Sequence, residues 1–304
     1  MQVVLDARKA PPPPANGSAV SVGVFDGVHL GHAAILREVV ARAAGAVPAV
    51  LTFRRHPRLL LTGKAPPQIT SLDHRLVLLE RTGIKLALVA NFDENLRDTS
   101  AEEFVRHWLV GRLGARVVVV GPDAKVGRNR EGTPPRLAEI GRFLGFEVVV
   151  VPPVLVGGKP ARSSAIREAI AAGDLEGAAA LLGRRVSVMG TVVRGDARGR
   201  SIGFPTANLN LHHELHPPRG VYAVDVLLDG SRRRGVANIG LRPTFEGGTR
   251  EVVEVHLPRF EADLYGRTLE VEFLEKLRDE KKFASAADLS LAIRDDVDRA
   301  LRLG

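Results

Sequence analysis

Three short stretches gather residue types that serve phosphate chemistry. The first is Gly23-Val24-Phe25-Asp26-Gly27-Val28-His29-Leu30-Gly31-His32. An apolar run ends there, glycines let the backbone turn, and an amphipathic run begins. Helix N-termini attract anions through free N–H groups and the helix dipole. His29 and His32 add ring donors beside that terminus, Gly31 permits close approach, and Asp26 shapes the turn. This is a phosphate cradle without a P-loop lysine. Two surface histidines beside a helix cap are the plainer alternative, and a ten-residue stretch in this order argues against it. The second stretch, Gly195–Asn208, holds Gly195, Gly199 and Gly203 around Arg198 and Arg200, a loop able to wrap phosphates. After Pro205, Thr206 and Asn208 stand two apart, so in an extended chain both project to one face. A hydroxyl and an amide oxygen are hard ligands suited to a Mg²⁺ ion that keeps several waters. By spacing alone, a Gly/Pro hairpin loop accounts for this stretch equally well. The third is Arg162-Ser163-Ser164-Ala165-Ile166-Arg167. Its hydroxyls sit at a predicted helix start, and Arg167 supplies a bidentate fork. Alone it is a plain Ser N-cap; paired with His29 and His32 it reads as phosphate binding.

The elements that must position these residues follow from periodicity. Ala19–Phe25, Val47–Phe53, Ile84–Ala90, Val117–Gly121 and Phe146–Val151 are apolar along most of their length and read as buried strands. Helices are predicted between them at His32–Ala44, Leu72–Thr82, Ser100–Leu113 and Pro135–Leu144. Alternation of this kind implies a parallel sheet with helices on both faces, which binds ligands at the C-terminal strand ends. Pro11–Pro14 should form a short polyproline II segment. Ser163–Leu182 reads as helical, broken near Gly173. Beyond Arg184 the pattern changes to short strands at Val186–Val193, Val221–Leu228, Gly235–Ile239, Val252–Leu257 and Thr268–Phe273, with no helix between them. That half should be antiparallel, a barrel or sandwich, closed by a helix over Ser285–Leu301. The boundary is expected near Gly183, giving domains 1–183 and 184–304.

Composition bounds the rest. The 304 residues suit two domains at roughly 100–200 residues each. With 45% hydrophobic and 26% charged residues, predominant disorder is excluded. No apolar run approaches the about 18 residues of a membrane span. No signal peptide is read at the N-terminus, so the cytoplasm is the expected compartment. The chain has no cysteine, which removes thiolate metal sites and a cysteine nucleophile. The net charge of +8 raises nucleic-acid binding as an alternative. Against it, aromatics are only 5% and no nucleic-acid-binding signature is present. The triplet Arg232-Arg233-Arg234 reads more simply as a solvated hairpin tip. Residues 1–183 carry +6 and residues 184–304 carry +2. The excess therefore lies in the half with the histidine cradle, where it attracts anionic small molecules.

The first motif resembles the His-x-Gly-His mark of the nucleotidylyltransferase superfamily. In its longer form it is similar to bacterial bifunctional riboflavin kinase/FAD synthetases. Thr52-Phe53-Arg54-Arg55-His56-Pro57 resembles that family's Thr-Phe-Glu-Pro-His-Pro, with two arginines replacing Glu-Pro. Gly121-Pro122-Asp123-Ala124-Lys125-Val126-Gly127 resembles Gly-x-Asp-Phe-x-Phe-Gly without its phenylalanines. Arg162-Ser163-Ser164-Ala165-Ile166-Arg167 resembles its Ser-Ser-Thr-x-Ile-Arg, with Arg162 in place of the first Ser and Ser164 in place of the Thr. The second stretch is very similar to the riboflavin kinase module, Gly-x-x-x-Gly-Arg-x-x-Gly-Phe-Pro-Thr-Ala-Asn. The likeness continues through Gly220–Val224, Gly235–Thr244, Val253–Leu257, Asp263–Gly266 and Leu277–Phe283.

The resemblance implies an α/β plus β architecture: a Rossmann-like nucleotidylyltransferase domain, then an antiparallel β-barrel with a closing C-terminal helix. It implies that riboflavin is phosphorylated to FMN in the second half, and that FMN is adenylylated to FAD in the first with release of pyrophosphate. ATP and Mg²⁺ are required, and no nucleic-acid or membrane partner is expected. In the first half it assigns the triphosphate to His29, His32, Ser164 and Arg167, with Gly23, Phe25, Asp26, Gly31, His56, Asp123 and Ser163 as further substrate contacts. In the second it assigns the base to Glu254, the metal to Thr206 and Asn208, and substrate contacts to Gly195, Gly199, Gly203, Pro205, Arg278 and Phe283. The altered Asp123-Ala124 segment and Arg162 motivate an alternative in which only the kinase half is active.

Overall fold

The structure is a computed structural model that describes residues 1–6, 10–194, 203–212, 215–243 and 249–303. By contacts the chain divides into two compact units. One comprises Met1–Pro67 and Arg75–Arg162, the other Gln68–His74 and Ser163–Gly304.

The first unit is built on six parallel strands: β1 (Gln2–Val4), β2 (Ser18–Val22), β3 (Val47–Phe53), β4 (Leu86–Ala90), β5 (Ala115–Val120) and β6 (Glu147–Val150), in the order β1-β4-β3-β2-β5-β6. The edge strand β1 has no periodic signal in the sequence. Its helices are α1 (Leu30–Ala43), the short α2 (Arg58–Thr62), α3 (Leu72–Arg81, whose first turn counts with the other unit), α4 (Glu94–Asp98), α5 (Ala101–Phe104) and α6 (Pro134–Leu144). The helix predicted over Ser100–Leu113 begins with the expected capping box between Ser100 and Glu103, then continues over Val105–Val110 with π-helical bonding. Because strand side chains alternate, the sheet has two buried faces. Ala49, Leu51, Phe53, Leu88, Val118 and Val120 form one core with Phe104, Leu109, Leu137 and Ile140. Leu36 and Val39 of α1 are buried outside that core, and α1 packs on β2, β3 and β5 from the opposite side. Helices therefore cover both faces, as predicted.

Strand order reverses between β2 and β5. In an open parallel sheet this switch point leaves a crevice beyond the strand C-termini, where ligands bind. Gly23–Gly27 follows β2 and Gly121 follows β5, so the two loops flank it.

The second unit is a closed antiparallel barrel of β9 (Ser187–Val193), β10 (Thr206–Leu211), β11 (Gly220–Leu228), β12 (Ser231–Pro243), β13 (Thr249–His256) and β14 (Thr268–Arg278), after the β7–β8 hairpin (Leu155–Val156, Lys159–Pro160) of the first unit. The strand order is β10-β13-β12-β11-β14-β9. Strand β10, which the sequence reading leaves without an assignment, carries Thr206 and Asn208. Helices α7 (Ser163–Ala172) and α8 (Leu175–Leu182), broken at Gly173, contribute Ile166, Ile170, Ala178 and Leu182 to the barrel's core. The closing helix α9 (Ala286–Arg302) is capped by Ser285 and lies on the outer barrel face, where Val297 and Ala300 meet Val221, Ala223, Val236 and Leu277. Gln68–His74 is tied in by polar contacts: His74 Nε2 lies 3.0 Å from Glu270 Oε1, which also accepts from Ser187 Oγ at 3.1 Å.

The basic triplet departs from expectation. The β11–β12 turn does fall at Asp229-Gly230, both with positive φ, as tight hairpins require. The arginines after it are engaged rather than simply solvated. Arg234 donates to Asp225 and to the Ala300 and Leu303 carbonyls at the end of α9; Arg232 pairs with Glu272, and Arg233 lies 4.9 Å over the Phe260 ring. Carbonyls at a helix C-terminus lack helical partners, and a cation there satisfies them.

Candidate active sites

In the first unit the turn after β2 is strained. Phe25 (φ 52°) and Val28 (φ 40°) both occupy the left-handed region, which is unusual for any residue with a Cβ and most costly for a β-branched one. Phe25 is held there by burial, 2% exposed, beside Asp26 at 4%. The turn delivers His29 to the N-cap of α1, where its Nδ1 accepts from the His32 backbone N–H at 3.4 Å. With Nδ1 an acceptor, the neutral ring carries its proton on Nε2. The His32 ring stacks on His29 at 3.7 Å between centroids and 22° between planes, and meets Phe25 edge-on at 5.3 Å. A Cβ on Gly31 would lie 3.1 Å from the His29 ring and 3.2 Å from the Ala161 carbonyl oxygen. Only glycine leaves the pair undisturbed.

Burial pushes the His32 pKa well below the ordinary 6.5, and the neighbouring His29 and Arg75 lower it further. His32 is thus a neutral imidazole at neutral pH. Gly23 sits against the Phe25 ring. His56 Nδ1 accepts from the Arg58 N–H at 3.1 Å, just before α2. Asp123 is exposed and pairs with Arg162 at 3.3 Å. The arginine that stands in place of the family's first serine therefore has a partner in the other altered motif. Ser163, Ser164 and Arg167 lie on the first turns of α7 and count with the second unit.

In the second unit the register builds the site. Asn208 on β10 pairs with Glu254 on β13, and Glu254 pairs across its other side with Asn238 on β12. Thr206 pairs with His256 two residues along. Directly opposed antiparallel residues share a face. Their neighbours Leu209, Val253, Val255, Ala237 and Ile239 fill the core, so Thr206, Asn208, Asn238, Glu254 and His256 form a polar row on the barrel's outer face. Asn208 is nevertheless only 9% exposed, and its Oδ1 accepts no hydrogen bond among the described residues. A buried amide oxygen without a donor is an oxygen site in want of a cation, so the donor set fits Mg²⁺. His256 Nδ1 donates to the Pro205 carbonyl at 2.8 Å and packs edge-on against Phe204, which fixes the chain entering β10. Gly203 has φ 86° and open space around it. Gly195 and Gly199 lie outside the described residues.

Arg278 makes a forked pair with Asp296 of α9, with Nη2 2.8 Å and Nε 3.0 Å from Oδ2, and its guanidinium lies 5.4 Å from the Phe283 ring. Its first role is to pin Phe283 and the end of β14 to α9. Two residues escaped the sequence reading. Asn238 stands inside a quoted motif, and only the β12–β13 register singles it out; Arg75 had no signal at all.

A family model for riboflavin kinase matches residues 182–303, and one for FAD synthetase matches residues 12–165. The bifunctional riboflavin kinase/FMN adenylyltransferase of Haemophilus influenzae is 40% identical over 288 residues, 93% of each chain. The Escherichia coli protein of the same description is 39% identical over 287 residues, 93% of this chain and 91% of its own. A crystal structure described as a macrolide-efflux protein from Streptococcus pneumoniae superimposes with a TM-score of 0.84 at 31% identity, covering 100% of this chain and 99% of that one. Among the described residues, no helix is long and apolar enough to cross a membrane. The histidine cradle falls within the segment matched by the FAD synthetase model and the polar row within that matched by the riboflavin kinase model, and the chain belongs to the bifunctional riboflavin kinase/FMN adenylyltransferase family.

Proposed function

We propose that the two halves divide the work near Gly183, with residues 184–304 phosphorylating riboflavin and residues 1–183 adenylylating FMN. Both reactions consume ATP, and the chain is a bifunctional riboflavin kinase and FMN adenylyltransferase. The observation that carries the division is the register that sets Glu254 between Asn208 and Asn238. No such carboxylate is needed beside the histidine pair.

In the kinase half a neutral alcohol, the riboflavin 5′-hydroxyl, attacks the γ-phosphorus of ATP and must lose its proton. Glu254 accepts that proton and orients the oxygen. Thr206 and Asn208 hold Mg²⁺, which neutralises charge on the phosphates. Pro205, fixed by His256, and Gly203 shape the approach to this strand, and Gly195 and Gly199 are further substrate contacts. Arg278 and Phe283 border the flavin. Products are FMN and ADP.

In the adenylyltransferase half an FMN phosphate oxygen attacks the α-phosphorus of ATP, and the α–β bridging bond breaks to release pyrophosphate. The nucleophile is already an anion, so catalysis is positioning and charge stabilisation. His29 offers its Nε2 proton and His32 a neutral ring, both at the positive end of α1. Ser163, Ser164 and Arg167 at the start of α7 are further phosphate ligands. Gly23, Phe25, Asp26 and Gly31 frame the turn, and His56 and Asp123 are further substrate contacts. Mg²⁺ as the metal and the cytoplasm as the compartment belong to the same proposal.

The test is to incubate the purified protein with riboflavin, ATP and Mg²⁺ and to separate the flavins. FMN and then FAD are expected. Absence of both under several metal and reductant conditions would sink the reading, and FMN that accumulates without conversion would confine activity to the barrel.

A further inference from the structure

Arg75 heads the fully buried side chains by volume, at 1% exposed. Arginine is almost never buried unless its charge is met by partners, and here both Nη groups find acceptors while the buried Nε finds none among the described residues. Its two Nη groups donate to the Val24 carbonyl at 2.6 Å and the Phe53 carbonyl at 2.8 Å. The Phe53 carbonyl ends β3 and the Val24 carbonyl stands two residues past the end of β2, its neighbour in the sheet. The Val24 carbonyl also accepts from Thr52 Oγ1 at 3.2 Å. Each carbonyl opens a loop of the proposed phosphate site: one leads to His29 and His32, the other to His56. Were packing the only demand, an apolar side chain of similar volume would fill the position without the cost of desolvating a charge.

We propose that Arg75 is a positioning residue for adenylyl transfer, whose guanidinium clamps the two strand ends and sets a permanent positive charge within reach of His32. The inference rests on the reading of the first unit as an FMN adenylyltransferase. Two physical consequences follow. Strand-end carbonyls carry negative partial charge where a polyanion must bind, and the clamp satisfies two of them and fixes their direction. The charge also acts on the imidazole pair. Burial lowers the Arg75 pKa only to about 10, with Asp26 opposing the fall, so it stays protonated at neutral pH. Of the titratable and charged groups acting on His32, His29 on its own helix and Arg75 on α3 both disfavour the imidazolium. Burial does most to keep His32 neutral at neutral pH, and the Arg75 charge adds to it.

The test compares Arg75→Met, which loses charge and clamp, with Arg75→Lys, which keeps the charge but not the fork. Kinase activity of the same chain serves as an internal control. In Arg75→Met, FMN adenylylation is expected to fall about 10²-fold in kcat, the scale on which small misplacements act, while riboflavin phosphorylation stays within threefold, an about 0.7 kcal/mol band. NMR titration of the His32 ring is expected to show its pKa rising in Arg75→Met and staying near the parent value in Arg75→Lys, with the Arg75→Lys rate between the two. Parent-like adenylylation in Arg75→Met, or an unmoved His32 titration in a folded Arg75→Met, overturns the proposal. If Arg75→Met does not fold and Arg75→Lys matches the parent in rate, the role is structural and the proposal also fails. A parent chain that forms no FAD refutes the underlying functional reading instead, and the His32 titration still reads the electrostatic link.

Discussion

On the proposed assignment, the two units handle phosphate chemistry with opposite devices. The first places two stacked imidazoles at a helix N-terminus, at the switch point of a parallel sheet. The second places a carboxylate between two amides on the outer face of an antiparallel barrel. The difference follows from the nucleophile. An FMN phosphate arrives charged and needs only a frame of donors, which backbone N–H groups and imidazoles would supply. A ribityl hydroxyl arrives neutral and needs a base. Parallel strands gather their ligand groups at loop ends, whereas antiparallel register lines side chains up across strands. Each fold thus favours the device it carries.

The sharpest way to break this contrast is Glu254→Ala. It should lower riboflavin phosphorylation by about 10²–10⁴-fold, the range for a lost general base, and leave FMN adenylylation intact, measured by supplying riboflavin or FMN as the starting flavin. If both activities fall together in a folded variant, the division of labour is wrong. The reciprocal change, His32→Asn, should cost about 10²-fold in FAD formation, as removal of one preorganised donor does, with the kinase rate unchanged. Loss of the kinase as well would mean that the imidazole pair serves more than its own unit. Asn208→Ala should act more gently. Losing one neutral oxygen ligand, worth about 1.5 kcal/mol or more, raises the Mg²⁺ concentration for half-maximal kinase rate about tenfold. A kinase rate with the parent's metal dependence would remove Asn208 from the metal site.

The smallest expected effect concerns pH. His32 is lowered in the fold by burial, then by His29 and Arg75. Below its ordinary 6.5 the unfolded ring binds a proton that the folded ring refuses, so stability rises with pH in that window. The stabilisation is complete above 6.5 and is lost as pH falls toward the lower folded value. Thermal unfolding scanned from neutral to acid pH should show this loss, and His32→Gln should flatten it.

Much of both sites was legible because local rules suffice. A glycine-rich turn between an apolar run and an amphipathic one announces a strand-to-helix junction, and the histidines are read where they stand. Gly173 and Ser285 mark helix ends by their own conformational chemistry. The triplet Arg232–Arg234 follows the hairpin tip as read, with Arg232 and Arg233 exposed, but its partners, Asp225, Glu272 and the end of α9, come from elsewhere in the chain and could not be foreseen. β10 went unassigned although Thr206–Leu211 alternates polar and apolar residues, because alanine and asparagine are poor strand formers and mask that period. Its strand character comes from pairing with β9 and β13.

By itself, then, the sequence determined the two fold classes and the residue types of the two candidate sites, since periodicity and turn chemistry act over a few residues. Alternation between Val253 and Val255 already sends Glu254 away from the barrel core. Only the tertiary structure decided that Glu254 meets Asn208 and Asn238, because strand register is set by pairing between distant segments. Only it decided that the arginine at position 75, between His74 and Leu76, is buried against two strand ends, because no local pattern encodes which carbonyls a helix will be packed against.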